Sequence, residues 1–305
     1  MSTPAVHCII VTFRRDPGFR KTLELALSQS RQPARIIVVD NGQSDDVART
    51  VAACSPSARV DYIRAPENLG PAGGTALAMR SILTEAGDDD WITRLDDDLT
   101  EMDSDVFEVL LDFGQRMVAN DPATAAVGAV GSRYDRRKNR LIRIDDAEIA
   151  RGPVPVDYVP TNVFPMYRVR VVRAAGTLDE RLFYGFSEVE YGLRLRAAGY
   201  SLYACPELWQ RLGRRTAATA GPTLTLQEPD WRRYYALRNQ IWMLHESGDR
   251  YVAFRVGIVR CILKPLASLC LHPHLARRHL GLGVRAFRDG WTGRLGRTID
   301  PEEWT

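Results

Sequence analysis

No two of the five cysteines (Cys8, Cys54, Cys205, Cys261, Cys270) stand in a CxxC spacing, and their odd number and wide spread argue against a disulfide framework and a zinc ribbon. Reduced, mostly buried thiols are expected instead. Internal repeats and low-complexity linkers are missing, which leaves no clean domain boundary before about residue 250. The first strand runs into Thr12-Phe13-Arg14-Arg15 without a G-x-G-x-x-G turn, which disfavours a dinucleotide fold, and there is no Walker A sequence. The opening MSTPAVHCIIVTFRR lacks a basic n-region, a long apolar h-region and a small-residue cleavage site, so a cytoplasmic location is expected. Lysine is scarce: Lys21, Lys138 and Lys264 are the only three among 41 basic residues, for which codon bias is a sufficient cause.

The 305 residues, 45% hydrophobic and 26% charged, are enough for one large α/β domain or two unequal ones. The net charge of +3 is uneven, because residues 250–298 hold nine arginines and Lys264 against Asp289 alone, leaving the rest acidic overall. Apolar β-rich runs alternate with helix-period segments through the first hundred residues, the pattern of βα units around a mostly parallel sheet. Strands are predicted at 7–13, 34–41, 60–65 and 91–98. Asp16 is expected to cap a helix with Pro17 behind it, and Ser44 to cap the next. After a helix near 104–118, residues 124–172 read as strands and turns, and helices resume at 187–198 and 231–246.

Chemistry concentrates in a few places. Asp96-Asp97-Asp98 ends a predicted strand, where open α/β sheets place ligands. Three repelling carboxylates suit a hard cation bridging to phosphate oxygens, or else a solvated turn or helix cap. Asp40-Asn41-Gly42 and the turn Asn68-Leu69-Gly70-Pro71-Ala72-Gly73-Gly74 are expected on the same sheet edge. Each alone is compatible with a plain turn; together with the aspartates they suggest a nucleoside diphosphate cleft. In Phe183-Tyr184-Gly185-Phe186-Ser187-Glu188-Val189-Glu190, the S-x-x-E spacing reads as a capping box that occupies Glu190. Glu188 is then free among aromatic rings, its pKa expected to rise by desolvation, as general base or as a helix-dipole partner.

IIVTFRR, VVDNGQSDD, ENLGPAGGTALAMR, WITRLDDD, AAGTLDERLFYGFSEVEYGLRLRAAGY and DWRRYYALRNQIW, taken in order over roughly residues 7–243, resemble the inverting family 2 nucleotide-sugar glycosyltransferases, especially the rhamnosyl- and galactofuranosyltransferase-like branch. The resemblance implies a GT-A type, Rossmann-like nucleotide-binding domain over residues 1–248 followed by a basic helical region over 249–305. It implies that Thr12, Phe13 and Asp40 hold base and ribose, that Asn68, Gly73 and Gly74 approach the donor, and that Asp97 lies beside the ribose or sugar. Asp96 and Asp98 match the D-x-D pair for Mn2+ or Mg2+, and Glu188 the base. Arg238 matches a phosphate or acidic-loop partner, with a core-helix edge as the alternative. Where relatives carry a metal-binding histidine this chain has Gln210, while His7, His245, His272, His274 and His279 stand elsewhere and read as structural or surface residues.

The implied reaction moves a sugar from a UDP or dTDP donor to a hydroxyl of a glycan, lipid-linked or small-molecule acceptor. A nucleotidyltransferase and a silent sugar-nucleotide-binding protein are the alternatives. The apolar stretch 252–271 is broken by Arg255, Arg260 and Lys264, so it is a poor spanning helix; peripheral contact with the inner face of a membrane, or a homo-oligomer surface, is the expectation. No nucleic-acid-binding motif accompanies the arginines.

Overall fold

The computed structural model describes residues 3–54, 59–213, 230–267 and 273–301; Cys270 and His272 lie outside them. The chain alternates β1 (Val6–Thr12), α1 (Asp16–Leu27), β2 (Arg35–Asp40), α2 (Asp45–Ala52), β3 (Val60–Arg64), α3 (Gly70–Leu83), β4 (Trp91–Asp96) and α4 (Val106–Asn120). β1, β2 and β4 are apolar on both faces and almost wholly buried, as a sheet covered by helices on both sides requires. Then follow β5 (Thr124–Gly128), the hairpin β6 (Ser132–Asp135) and β7 (Arg140–Arg143), the short α5 (Asp146–Ile149), β8 (Val154–Val156), β9 (Met166–Arg168), α6 (Val169–Ala175), α7 (Ser187–Ala197) and β10 (Ser201–Ala204).

One eight-stranded sheet results, in the order β3-β2-β1-β4-β9-β5-β10-β8. It is mostly parallel, as expected, with β9 inserted antiparallel between β4 and β5, and β8 antiparallel at the edge. The C-terminal ends of β1, β2 and β4 share one edge, because Thr12 pairs with Asp40, and Val11 with Asp96.

Two helix-start expectations come out differently. Ser44 caps α2 as predicted, its hydroxyl accepting from the Asp46 amide at 3.2 Å. Asp16 is not a cap: α1 begins with it, and its carboxylate accepts from the Ser44 hydroxyl at 2.9 Å, tying α1 to α2.

The second core cluster straddles the boundary expected at 248/249. Tyr234, Tyr235 and Ile241 on the helix Asp230–Glu246 pack with Phe183 and Phe186 on one side and with Ala253, Cys261, Leu282 and Ala286 on the other. Among the described residues no helix is long and apolar enough to cross a membrane.

Candidate active site

A cleft of about 770 Å³ lies over the carboxyl ends of β1 and β4 and is closed on its far side by the loop before α7 and the start of the helix Asp230–Glu246. Its lining brings together Thr12, Phe13, Asn68, Asp96, Asp97, Asp98 and Glu188 from the sequence-based set. Residues far apart along the chain meet here because β4 delivers the aspartates and α7 delivers the glutamate.

Asp96 ends β4. Burial, opposed by Arg94 and reinforced by Glu188, Asp98 and Asp97, pushes its carboxyl up to about 6. Asp97 is anchored by the Phe13 amide at 3.3 Å, and burial raises its pKa too. Asp98 is half exposed and pairs with Arg15 at the rim. Asp96 and Asp98 are thus crowded carboxylates, one of them driven toward protonation. A hard divalent cation relieves that crowding, so the pair fits Mn2+ or Mg2+. Among the described residues no three His, Cys, Asp or Glu side chains gather as a metal-binding group.

Glu188 sits in the first turn of α7, its side chain 21% exposed. The Arg94 guanidinium donates to its Oε1 at 3.0 Å, the Thr161 hydroxyl donates to the same atom at 2.8 Å, and the Ser187 hydroxyl donates to Oε2 at 3.0 Å. Burial alone would raise its pKa, as the sequence reading expects, but Arg94 and the hydroxyls outweigh burial and hold it below the usual glutamate value. The group is therefore ionised at neutral pH, with an acceptor position left on Oε2. Arg94 also lies 3.7 Å from Asp96, so a single guanidinium links the base candidate to the aspartates.

The capping box does not form. The residue preceding α7 is Phe186, in the left-handed region at φ 63°, and Ser187 is inside the helix with its hydroxyl turned to Glu188. Glu190 pairs with Arg194 at 2.8 Å instead. Phe183, Gly185 and Phe186 all have positive φ, a costly run for two phenylalanines and a mark of a loop held in place by its surroundings.

The clamp on that loop is the YY-x-x-RN segment. Arg238 is fully buried and does not line the cleft; its guanidinium donates to the carbonyls of Leu182 at 3.0 Å and Gly296 at 2.6 Å. Asn239 donates to the carbonyls of Leu182, Tyr184 and Gly185 at 2.8, 2.8 and 2.9 Å. Of the two expectations for Arg238, the geometry fits the acidic-loop partner, with a positioning role, and not the phosphate contact.

Three more expectations move. Asp40 is fully buried, its oxygens taken by the Gly42 and Ser44 amides at 2.9 and 2.7 Å and the Tyr62 hydroxyl at 2.9 Å, so it shapes the turn after β2; Asn41 borders the cleft beside it, its amide donating to the Gly70 carbonyl at 3.0 Å. Gly73 and Gly74 are inside α3, where a Cβ on Gly74 would come within 2.6 Å of Val11; they permit close helix–strand packing, and Gly70 and Pro71 line the cleft instead. Gln210 is exposed on a π-helical turn and is not among the lining residues, so nothing brings it to Asp96 and Asp98.

Sequence reasoning missed Arg94 and Thr161, named Tyr184 only as one of the rings around Glu188, and passed over Trp231 and Arg232 inside the block DWRRYYALRNQIW. Arg94 was legible as a charge inside a buried strand; Thr161 carried no signal outside the tertiary context. Trp231 and Tyr184 stack edge to face at 4.8 Å under the Arg232 guanidinium, forming an aromatic wall beside Glu188.

Residues 7–175 match the family described as Glycosyl transferase family 2. Galactofuranosyltransferase GlfT1 of Mycobacterium tuberculosis is 31% identical over 268 residues, covering 81% of this chain and 84% of its own length. Among solved structures the fold is similar to mannosyltransferase PcManGT from Pyrobaculum calidifontis in complex with GDP-Man and Mn2+, at TM-score 0.51 and 15% identity over 96% of this chain and 88% of that one. It is also similar to GalNAc-T7 with UDP, GalNAc and Mn2+, at TM-score 0.52 and 12% identity, where the match spans 66% of this chain but only 42% of that one.

Proposed function

The chain belongs to glycosyl transferase family 2, with a GT-A fold, and from that premise we propose that it transfers a sugar from a UDP or dTDP donor to an acceptor hydroxyl in one inverting displacement. The observation that carries the reading is the ionised Glu188 carboxylate, separated from Asp96 by the single guanidinium of Arg94. Thr12, Phe13, Asn41 and Asn68 receive the nucleoside, and Asp97 faces the ribose or donor sugar.

Asp96 and Asp98 would hold Mn2+ or Mg2+, which when bound would neutralise charge on the diphosphate leaving group. Glu188 accepts the proton of the acceptor hydroxyl as that oxygen attacks the anomeric carbon from the face opposite the diphosphate. Arg94, Thr161 and Ser187 fix the carboxylate so that Oε2 points at the incoming hydroxyl, and they keep it unprotonated beforehand. Tyr184, Trp231 and Arg232 form the wall against which a glycan, lipid-linked or small-molecule acceptor lies. The names of the mycobacterial relatives make a galactofuranosyl donor the first to assay.

Calorimetry of UDP and dTDP binding, with and without Mn2+ or Mg2+, tests the reading. Nucleotide affinity is expected to rise with the metal, and Asp98→Ala to remove most of that gain. Metal-independent affinity would reject the assignment of Asp96 and Asp98. Release of pyrophosphate in place of nucleoside diphosphate would reassign the reaction to nucleotidyl transfer.

A further inference from the structure

Seven of the eight large hydrophobic side chains left exposed among the described residues fall between positions 251 and 291. Acid is scarcest in the same stretch, where nine arginines and Lys264 share residues 250–298 with Asp289 alone. Asp289 is itself buried, its carboxylate taken by the Tyr234 hydroxyl at 2.6 Å and the Arg288 guanidinium at 2.8 Å. The surface this segment presents is therefore apolar and cationic.

The segment starts as the helix Arg250–Val256, widens to π-helix over Gly257–Leu263 and returns to α-helix over Lys264–Ala267. Widening rotates the direction in which side chains emerge along the segment. The inner side packs on the helix Pro273–Trp291: Gly257 lies on the Phe287 ring and Gly283 on the Cys261 carbonyl, so closely that a Cβ at either position would overlap. With that side filled, Tyr251 (77% exposed), Phe254, Leu263 (51%) and Leu266 are left on the outside. On the neighbouring helix Arg277, Val284, Arg288 and Trp291 are exposed at helical spacing along one side. The rings of Phe254, Phe287 and Trp291 contact one another at 5.9 to 6.1 Å, joining the two helices into one surface.

We propose that this two-helix surface docks the protein on an anionic lipid bilayer. Pairing with a second copy of the chain would set two cationic faces against each other, whereas anionic headgroups neutralise them. Tyr and Trp are the side chains that settle at the headgroup boundary, and arginine stems reach past apolar neighbours to the phosphates. The face runs outward from beside the cleft, since His279 on the second helix pairs with Asp230 next to the cleft-lining Trp231. Trp231 lines the cleft at the start of the helix Asp230–Glu246, while His245 near its end packs on Trp291 at 4.8 Å, about 20 Å away at 1.5 Å rise per residue.

The test is co-sedimentation of the full chain with phosphatidylglycerol–phosphatidylcholine vesicles and with pure phosphatidylcholine vesicles. Partitioning onto the anionic vesicles is expected to be roughly ten-fold stronger and to fall as salt is raised. The exposed pairs Leu263→Ser with Leu266→Ser, and Lys264→Ser with Arg277→Ser, should each lower it about ten-fold while circular dichroism and thermal melting stay those of the parent. The proposal is overturned by equal or absent partitioning on the two vesicle types. It is equally overturned if light scattering without lipid finds a dimer that the same substitutions dissociate.

Discussion

At residue scale the two neighbouring glutamates of α7 have different jobs. Glu188 is held by three donors inside the cleft, whereas Glu190 is paired with Arg194 on the helix. Glu188→Gln keeps size and polarity but removes the proton acceptor, so kcat should fall by roughly two or more orders of magnitude with donor affinity and folding nearly unchanged. Glu190→Gln loses one partly buried ion pair, costs up to about 1 kcal/mol by urea unfolding, and keeps turnover. An inactive Glu190→Gln beside an active Glu188→Gln would move the base by two positions. Both glutamates stand in a sequence motif, yet the reason for choosing Glu188 changes with the structure. The motif suggests elimination through a capping box; the structure supplies Arg94, Thr161 and Ser187 as direct partners.

At the scale of elements, the loop before α7 is kept in an unfavourable backbone conformation by the helix Asp230–Glu246, which follows it only after α7 and β10 have intervened. Asn239 alone donates to three carbonyls of that loop. Asn239→Ala leaves them without this donor in a buried setting, at a cost of roughly 2–4 kcal/mol. The expected kinetic signature is a fall in kcat larger than any change in nucleotide affinity, since the loop leads directly into Glu188 at the start of α7; rate assays and calorimetry on one preparation separate the two. Gly70 explains a second coupling of elements. Its φ is +68°, and a Cβ there would stand 2.3 Å from the Phe183 carbonyl oxygen, so the glycine turn at the start of α3 and the loop before α7 close on each other across the cleft.

At the scale of the whole molecule, two buried histidines should withdraw stability as pH falls below neutral. Burial lowers the pKa of His7, against Asp90, with Arg35 and Arg59 adding to the depression. Burial and Arg233 lower that of His279, against Asp230, with Arg278 adding. A depressed folded-state pKa means that protonation favours the unfolded chain. The contribution of each histidine is thus complete above an unfolded value of about 6.5 and lost as pH drops through the folded one. Asp90 and Asp289, whose pKa values hydrogen bonds and cationic partners hold below the ordinary value despite burial, extend the decline below about pH 3.8. Asp96, raised to about 6, acts in the opposite sense over part of this range, so the histidine contribution is read as a difference: the melting temperature of the parent relative to the double variant His7→Gln with His279→Gln should fall between about pH 7.5 and 5. A parent–variant difference independent of pH over this range would contradict both assignments.

The sequence by itself determined the alternation of strands and helices, the mostly parallel sheet and the strand-end edge of the cleft, because apolar periodicity and strand-end chemistry are local properties; the family came from a resemblance carried by six motif blocks in order. Asp96-Asp97-Asp98 was legible as strand-end chemistry, and Glu188 through the resemblance, since the capping box that also pointed to it does not form. Which polar residues face the cleft was decided only by tertiary structure. Asp40 and Arg238 look like ligand contacts in a motif, but in the fold their hydrogen-bonding capacity is spent on buried backbone groups and a tyrosine. Arg94 shows the converse: a charge in a buried strand is tolerable only where partners from distant segments meet it, and Glu188 and Asp96 are brought to it by α7 and the end of β4. Hydrogen-bond satisfaction is a property of neighbours in space, and spacing along the chain does not encode it.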